Sequence, residues 1–256
     1  MRPLTTAGDA TAHINLALAD LSPGEELQLP ADGETAAVVM SGVVDASTSD
    51  GASLGRAGGR ASVFEAPGDT VYAPAGTGLR LVAADGAAQI AVASAAAEPF
   101  ADAPPARVIG PSDQRIAEVG NGNWARTVRT ILGPEHDAQR LLLGETINPP
   151  GNWSSYPPHR HDRHNPPDEV DLEEVYLFRT NPAGGFGVQL RYELDGDRAE
   201  ESFVVRDDDV AVIRTGFHPV VAASGYELYY LWVMAGEGRE MMPYLAPAHA
   251  WVMNGG

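Results

Sequence analysis

Cysteine and lysine are both missing from this 256-residue chain. The first absence excludes disulfides, thiolate metal ligands and a cysteine nucleophile. The second excludes Schiff-base chemistry and pyridoxal phosphate enzymes, which need a lysine amine; all 17 basic residues are arginine. No apolar run approaches the roughly 18–20 residues that span a membrane. Met1 to Asp9 lacks the basic-then-apolar order of a signal peptide. Cations are also outnumbered: 35 acidic residues give a net charge of −18, which repels phosphate backbones and anionic membranes. Nucleic acid and membrane are therefore not expected partners, and a cytoplasmic protein acting on a small molecule is. The chain shows no P-loop and no Gly-x-Gly-x-x-Gly fingerprint.

What is present is strand. His13–Leu21, Thr35–Val44, Arg60–Phe64, Asp69–Ala73, Gly78–Ala83 and Ala88–Val92 are runs rich in Val, Leu and Ala. Turn clusters such as Ala66-Pro67-Gly68-Asp69 separate them. Short strands at this spacing predict a sandwich or barrel rather than βαβ units. The Ala/Pro-rich stretch Ala93–Ala106 reads as a linker or strap. Ile116–Val119 reads as the start of a short helix that Gly120-Asn121-Gly122 stops. Strand-like runs resume at Arg126–Leu132, Arg140–Asn148, Val175–Phe178, Phe186–Leu194, Glu201–Val205, Val210–Ile213 and Tyr226–Met234. Asp69–Gly78 can be laid on Asp209–His218 at a constant offset of 140 residues. Each has an Asp, a mostly apolar run, then a Gly turn that presents one residue inward: Gly78 in the first copy, His218 in the second.

His159-x-His161 carries the chemistry. Residues i and i+2 of a strand share a face, so both imidazoles can approach one ion. Glu173 and Glu174 follow at the head of an apolar, aromatic run, and Gly216-x-His218 supplies a third imidazole. Histidines alone in a Pro-rich loop would be ordinary surface residues; three coincident signals favour a metal site. Neutral imidazoles with one carboxylate suit Zn, Fe, Mn or Ni. Strand parity groups Glu174 with Tyr176 and Phe178, the polar and aromatic set that ligand-binding barrels turn inward, whereas Glu173 falls with Val175 and Leu177. Glu174 is therefore the expected ligand, with Tyr176 as a hydrogen-bond donor beside it. Gln189 and Arg191 share another face, and Arg191, Arg179 and Arg214 are the arginines nearest in sequence for an anionic substrate. His13, His136, His164 and His249 read as ordinary loop residues. Tyr226, Tyr229, Tyr230 and Trp232 read as a barrel wall or subunit interface, and exposed strand edges are compatible with a homodimer.

The string Gly151-Asn-Trp-Ser-Ser-Tyr-Pro-Pro-His159-Arg-His161-Asp162 resembles the signature of the 5-deoxy-glucuronate isomerases of inositol catabolism, relatives of the 4-deoxy-uronate isomerases in the cupin superfamily. Leu172-Glu-Glu-Val-Tyr176, Gly216-Phe-His218-Pro219-Val220, Tyr229–Gly236 and Ala248-His-Ala-Trp251 are similar as well. In the N-terminal half, so are Gly59–Glu65 and Val71–Pro74. The resemblance implies an all-β bicupin of two jelly-roll-like barrels. Residues 1–106 would form the first, without a metal site, and residues 107–256 the second, with a divalent metal on His159, His161, Glu174 and His218. It implies aldose–ketose isomerisation of 5-deoxy-D-glucuronate, a sugar acid, to 2-deoxy-5-keto-D-gluconate. Glu174 and Tyr176 would act in catalysis, and Gln189, Arg191 and Arg179 in substrate binding. A cupin Fe(II) dioxygenase, an isomerase of another uronate and a non-catalytic sugar-binding cupin are the competing readings. Three positions depart from the pattern: Arg160 stands for Lys, Arg214 for Pro, and the Gln-Arg pair reads Gln189-Leu190 with the arginine at Arg191.

Overall fold

The computed structural model describes residues 1–193 and 200–254; Leu194, the end of one expected strand run, lies outside the described residues. Among the described residues regular structure is strand, with three short 3-10 turns and no α-helix. The chain divides into two compact units, and not by one cut after Ala106. The first is Met1–Gln114 with Ile131–Leu142, and the second is Arg115–Thr130 with Leu143–Gly256. A buried carboxylate explains why the returning segment belongs to the first unit. Glu34, fully buried, accepts hydrogen bonds from the backbone N–H groups of Gln139, Arg140 and Leu141 at 2.6, 2.7 and 2.8 Å. It also accepts one from the Tyr72 hydroxyl at 2.7 Å.

In the first unit β1 (Ile14–Leu21), β2 (Glu34–Thr48), β3 (Thr70–Ala73) and β4 (Leu79–Ala95) lie in one sheet in the order β1-β4-β2-β3. Ala93–Ala95, expected in a linker, complete β4 instead, because they pair with both β1 and β2. The Arg60–Phe64 run is not a strand. The Arg60 side chain donates to the carbonyls of Val39 and Ala66, which bends the chain into turns there. Val39, Val71, Leu81 and Ile90 form the centre of the core. At Gly42 the β2 register shifts with φ +81°, and a Cβ would sit 2.3 Å from the Ala87 carbonyl oxygen, so only glycine fits.

The principal strands of the second unit are β5 (Arg126–Leu132) and β6 (Leu142–Asn148), whose ends Ile131, Leu132 and Leu142 reach into the first unit, with β7 (His159–Arg160), β8 (Leu172–Asn181), β9 (Gly187–Arg191), β10 (Val210–Ile213), β11 (Val220–Ala222) and β12 (Glu227–Gly236). One sheet runs β10-β8-β12-β6-β5 and ends on Arg115–Val119. That last segment is a strand rather than the expected helix. It turns at Gly120, φ +84°, and pairs antiparallel with β5, which satisfies its backbone. A second sheet places Trp153–Ser154, β11, β9 and Glu201–Val205 side by side. β12 is apolar and aromatic almost throughout, and both it and β8 are nearly wholly buried, as strands covered on both faces are.

The 140-residue echo is real in the backbone. β3 and β10 have bounds that differ by 140, and Gly76 and Gly216 both take a left-handed φ, +91° and +88°. Ala73 pairs with Thr35 of β2, while Ile213 pairs with Glu174 of β8. The positions equivalent to Glu174 and His218 are thus Thr35 and Gly78 in the first unit. A Cβ at Gly78 would already lie 2.9 Å from the Ser49 hydroxyl.

Replacing Glu34 by Gln tests the clasp on the returning segment. Denaturant unfolding is expected to show a loss of about 2 kcal/mol, since one amide oxygen cannot replace a charged acceptor of several donors. An unchanged midpoint would show that the carboxylate contributes nothing.

Candidate metal centre

Three histidines converge in the second unit. β7 is only two residues long, pairing His159 with Leu245 and Arg160 with Tyr244. Its alternation is nonetheless the one that matters: His159 and His161 turn to one side and Arg160 to the other. Arg160 is buried between the Phe217 and Tyr244 rings, 5.4 and 4.9 Å from their centroids, and pairs with Glu169 at 3.3 Å. His218 arrives from the turn after β10. Gly216 makes that turn with φ +88° and donates its N–H to Asp162 Oδ2 at 2.6 Å. A Cβ there would lie 2.9 Å from the Tyr192 carbonyl oxygen. One ring nitrogen from each of His159, His161 and His218 then lies within 4.8 Å of the others.

Backbone carbonyls fix the orientation of each ring. His159 Nδ1 reaches Pro157 O at 3.3 Å, His161 Nδ1 reaches Leu172 O at 2.5 Å, and His218 Nδ1 reaches Gly216 O at 3.0 Å. A carbonyl only accepts, so each Nδ1 carries the proton and each Nε2 is left as the ligating lone pair, the usual arrangement behind metal-bound histidine. Glu174 Oε2 lies 3.2 Å from His161 Nε2 and 3.3 Å from His218 Nε2. Those separations match neighbouring donors that each stand about 2.1 Å from a shared ion. His218 Nε2 is fully buried, and apart from the Glu174 carboxylate beside it, outside hydrogen-bond geometry, it meets no polar partner among the described residues. A buried polar atom with no partner is costly, and an ion at the centre of the cluster would satisfy it. The donor set fits a divalent metal.

The electrostatics agree. Burial, then the neighbouring imidazoles His218 and His161, push His159 down to about 3, so it stays neutral. Burial also opposes charge on His161, but the hydrogen bond and negative charge of Glu174 outweigh it and raise its pKa. For Glu174 burial works toward protonation. The hydrogen bond from His161, with the His161 and His218 imidazoles close by, overcomes it and holds the carboxyl at about 2. His161 therefore keeps a proton to higher pH than an ordinary imidazole, held against the Glu174 carboxylate.

A cavity of about 240 Å³ opens onto His159, His161 and Glu174. β8 contributes Glu174 and Tyr176, as strand parity predicts, and β12 contributes Tyr230, Trp232 and Met234. Tyr176 OH meets Ser155 Oγ at 2.8 Å, and Tyr230 OH meets Ser154 Oγ at 2.5 Å. Ser155 adopts φ +49°, a left-handed conformation that a serine takes at some cost. Burial, with the Glu174 charge, raises Tyr176 well above the usual phenol range.

The expected substrate-binding residues are not brought to this cavity. Gln189 is buried behind His218, donating through Nε2 to His218 O at 2.6 Å and to Pro219 O at 3.2 Å, so it braces the ligand loop. Arg191 pairs with Glu201 at 2.7 Å on a separate cleft of about 680 Å³. Arg179 is bonded to the Phe178 carbonyl at 3.0 Å and ion-paired with Asp208. Arg214 is exposed. Tyr230 and Trp232, expected as wall, line the site, while Tyr229 faces away and donates to Glu145 Oε1 at 3.0 Å. Sequence reasoning missed Arg126, Ser154 and Ser155, all of which line the cavity. The serines stand inside the string that carries the family resemblance; Arg126 gave no signal.

Comparison with known proteins agrees with the geometry. A family model described as the KduI/IolB family matches residues 3–252. A 5-deoxy-glucuronate isomerase from Geobacillus kaustophilus (strain HTA426) is 43% identical over 195 residues, 76% of this chain and 69% of that protein. One from Bacillus subtilis (strain 168) is 34% identical over 257 residues, 98% of this chain and 91% of that protein. Among solved structures, an IolB-like protein from Salmonella typhimurium LT2 matches with TM-score 0.92 and 32% identity, over 98% of this chain and 94% of that one. The oxalate decarboxylase of Lactobacillus farciminis matches with TM-score 0.66 at 14% identity, over 96% and 82%. That last likeness concerns the fold alone, and the fold is the expected bicupin.

The proton on His161 sets the pH dependence of metal binding. An ion must displace it, so zinc affinity is expected to rise about tenfold per pH unit below the raised pKa of His161 and to level off above it. Chelator competition between pH 5 and 8 reads this slope. A flat profile would show that no proton leaves the cluster.

Proposed function

Because the chain belongs to the KduI/IolB family, we propose that it is a cytoplasmic 5-deoxy-glucuronate isomerase that uses a divalent metal held by His159, His161, His218 and Glu174. The observation that carries this reading is the convergence of one ring nitrogen from each of His159, His161 and His218 within 4.8 Å of the others, beside the ionised Glu174 and at a cavity that also presents a neutral tyrosine. A divalent ion, when bound, would polarise the substrate carbonyl and the neighbouring hydroxyl.

The reaction is internal to the sugar. A proton leaves C2 and returns at C1, the O2 hydroxyl proton passes to O1, and no oxidant enters. The chain must therefore orient one end of the sugar and move protons between adjacent oxygens. Tyr176 is suited to the second task. Its raised pKa keeps the phenol protonated at neutral pH, and its partner Ser155 Oγ, 2.8 Å away, can hand a proton back. Glu174 remains ionised and supplies the single carboxylate among the cavity-lining described residues. Trp232, Met234 and Leu172 give the cavity apolar walls that limit water around the reacting carbons.

The test is incubation of metal-loaded protein with 5-deoxy-D-glucuronate in deuterium oxide without oxygen, followed by NMR. A ketone product is expected. Tyr176→Phe should slow its formation by about 10²–10⁴-fold at unchanged metal content. An aldehyde that persists with the unaltered protein would sink the isomerase reading, and substrate loss only when oxygen is admitted would replace it with a dioxygenase.

A further inference from the structure

Among the described residues of the second unit, one buried arginine has no counter-ion. Three of its described arginines are buried: Arg126, Arg129 and Arg160. Arg129 pairs with Glu145 at 3.3 Å, and Arg160 with Glu169 at 3.3 Å. Arg126, 8% exposed, makes a single hydrogen bond among the described residues, from Nη1 to the Trp124 carbonyl at 3.2 Å. Its Nε is buried without a partner. The guanidinium lies over the Trp124 ring, 5.7 Å from the centroid. It lines the same cavity as His159, His161 and Glu174.

We infer that Arg126 is the carboxylate receptor of this cavity, gripping the acid end of the substrate while the histidine cluster faces the aldehyde end. The inference rests on the isomerase reading for the identity of the substrate, but its chemistry requires only a sugar acid. A buried guanidinium is stable when a carboxylate or equivalent acceptors face it. Arg129 and Arg160 have such partners in the fold, whereas Arg126 has none among the described residues and lines a ligand cavity. Nε and Nη2 form the side-on fork that holds a carboxylate through two parallel hydrogen bonds. Stacking on Trp124 and the bond to its carbonyl fix the fork before substrate arrives. Burial lowers the pKa of Arg126, with the hydroxyls of Tyr230 and Tyr176 as its opposing neighbours; both are protonated at neutral pH, so neither balances its charge. The arginines nearest the motif in sequence do not compete for the role. Arg191 and Arg179 are paired with Glu201 and Asp208.

The experiment compares metal-loaded wild type, Arg126→Met and Arg126→Lys on 5-deoxy-D-glucuronate and on 5-deoxy-D-glucose, in which a hydroxymethyl group replaces the carboxylate. Wild type should prefer the acid, and Arg126→Met should reduce that preference by about 10²–10³-fold, as expected for removing one partner of a buried charge pair. Arg126→Lys keeps the charge but loses the fork, so it should fall between. Equal losses on both sugars would mean a purely structural arginine and would overturn the inference. Should Arg126→Met fail to fold, the same comparison on Arg126→Lys decides. If wild type isomerises neither sugar, the isomerase reading fails and calorimetric titration with D-glucuronate judges Arg126 alone. Binding by wild type that weakens about 100-fold in the variant sustains the receptor; equal binding, or none by wild type, overturns it.

Discussion

The second unit depends on how its three imidazoles are pinned. His159, His161 and His218 each commit Nδ1 to a backbone carbonyl, at Pro157, Leu172 and Gly216. That single choice fixes the tautomer, aims every Nε2 inward and leaves Glu174 among them as the counter-charge. Burying a carboxylate with imidazoles is unfavourable unless the charges are closely matched. The surrounding structure therefore reads as bracing. Leu172 N–H donates back to His161 O at 2.8 Å, tying the start of β8 to the ligand beside it. Asp162 holds the Gly216 turn, and Gln189 holds the carbonyl of His218 itself. Glu169 gathers Arg160 with the backbone N–H groups of Asp162 and Arg163.

The same backbone was built twice and used once for this chemistry. In the first unit the strand–turn equivalent to β10 and the His218 loop survives, with the same glycine geometry, but Thr35 and Gly78 stand where Glu174 and His218 stand in the second. Its own buried carboxylate, Glu34, is satisfied by Tyr72 and by backbone N–H groups. One acid serves a fold and the other a site, and the difference lies in what each faces: fixed backbone donors around Glu34, imidazoles with free lone pairs around Glu174.

Much of the site was legible because it follows the period of a strand. The parity of Glu174, Tyr176 and Phe178 told the inward face of β8 from the outward one, and His159-x-His161 needed only two residues of extended chain to be right. What stayed hidden was pairing. β5 carries Arg126 and Arg129 on opposite faces, and nothing in Arg-Thr-Val-Arg-Thr-Ile-Leu says that one meets Glu145 while the other meets a cavity. Arg191 and Arg179 are turned away from the cavity for the same reason, since each pairs with an acid elsewhere in the fold, Glu201 and Asp208. The segment Ile116–Val119 misled because a five-residue hairpin arm has no helical or strand period long enough to read. The returning segment Ile131–Leu142 was equally opaque: its membership of the first unit is decided by the Glu34 contacts, 105 to 107 residues away.

The most direct test of the account is anomalous diffraction from crystals of the zinc- or manganese-loaded protein. One ion is predicted, bonded to Nε2 of His159, His161 and His218 and to a carboxylate oxygen of Glu174. An ion bound through Nδ1, one bound elsewhere, or none at all would contradict it.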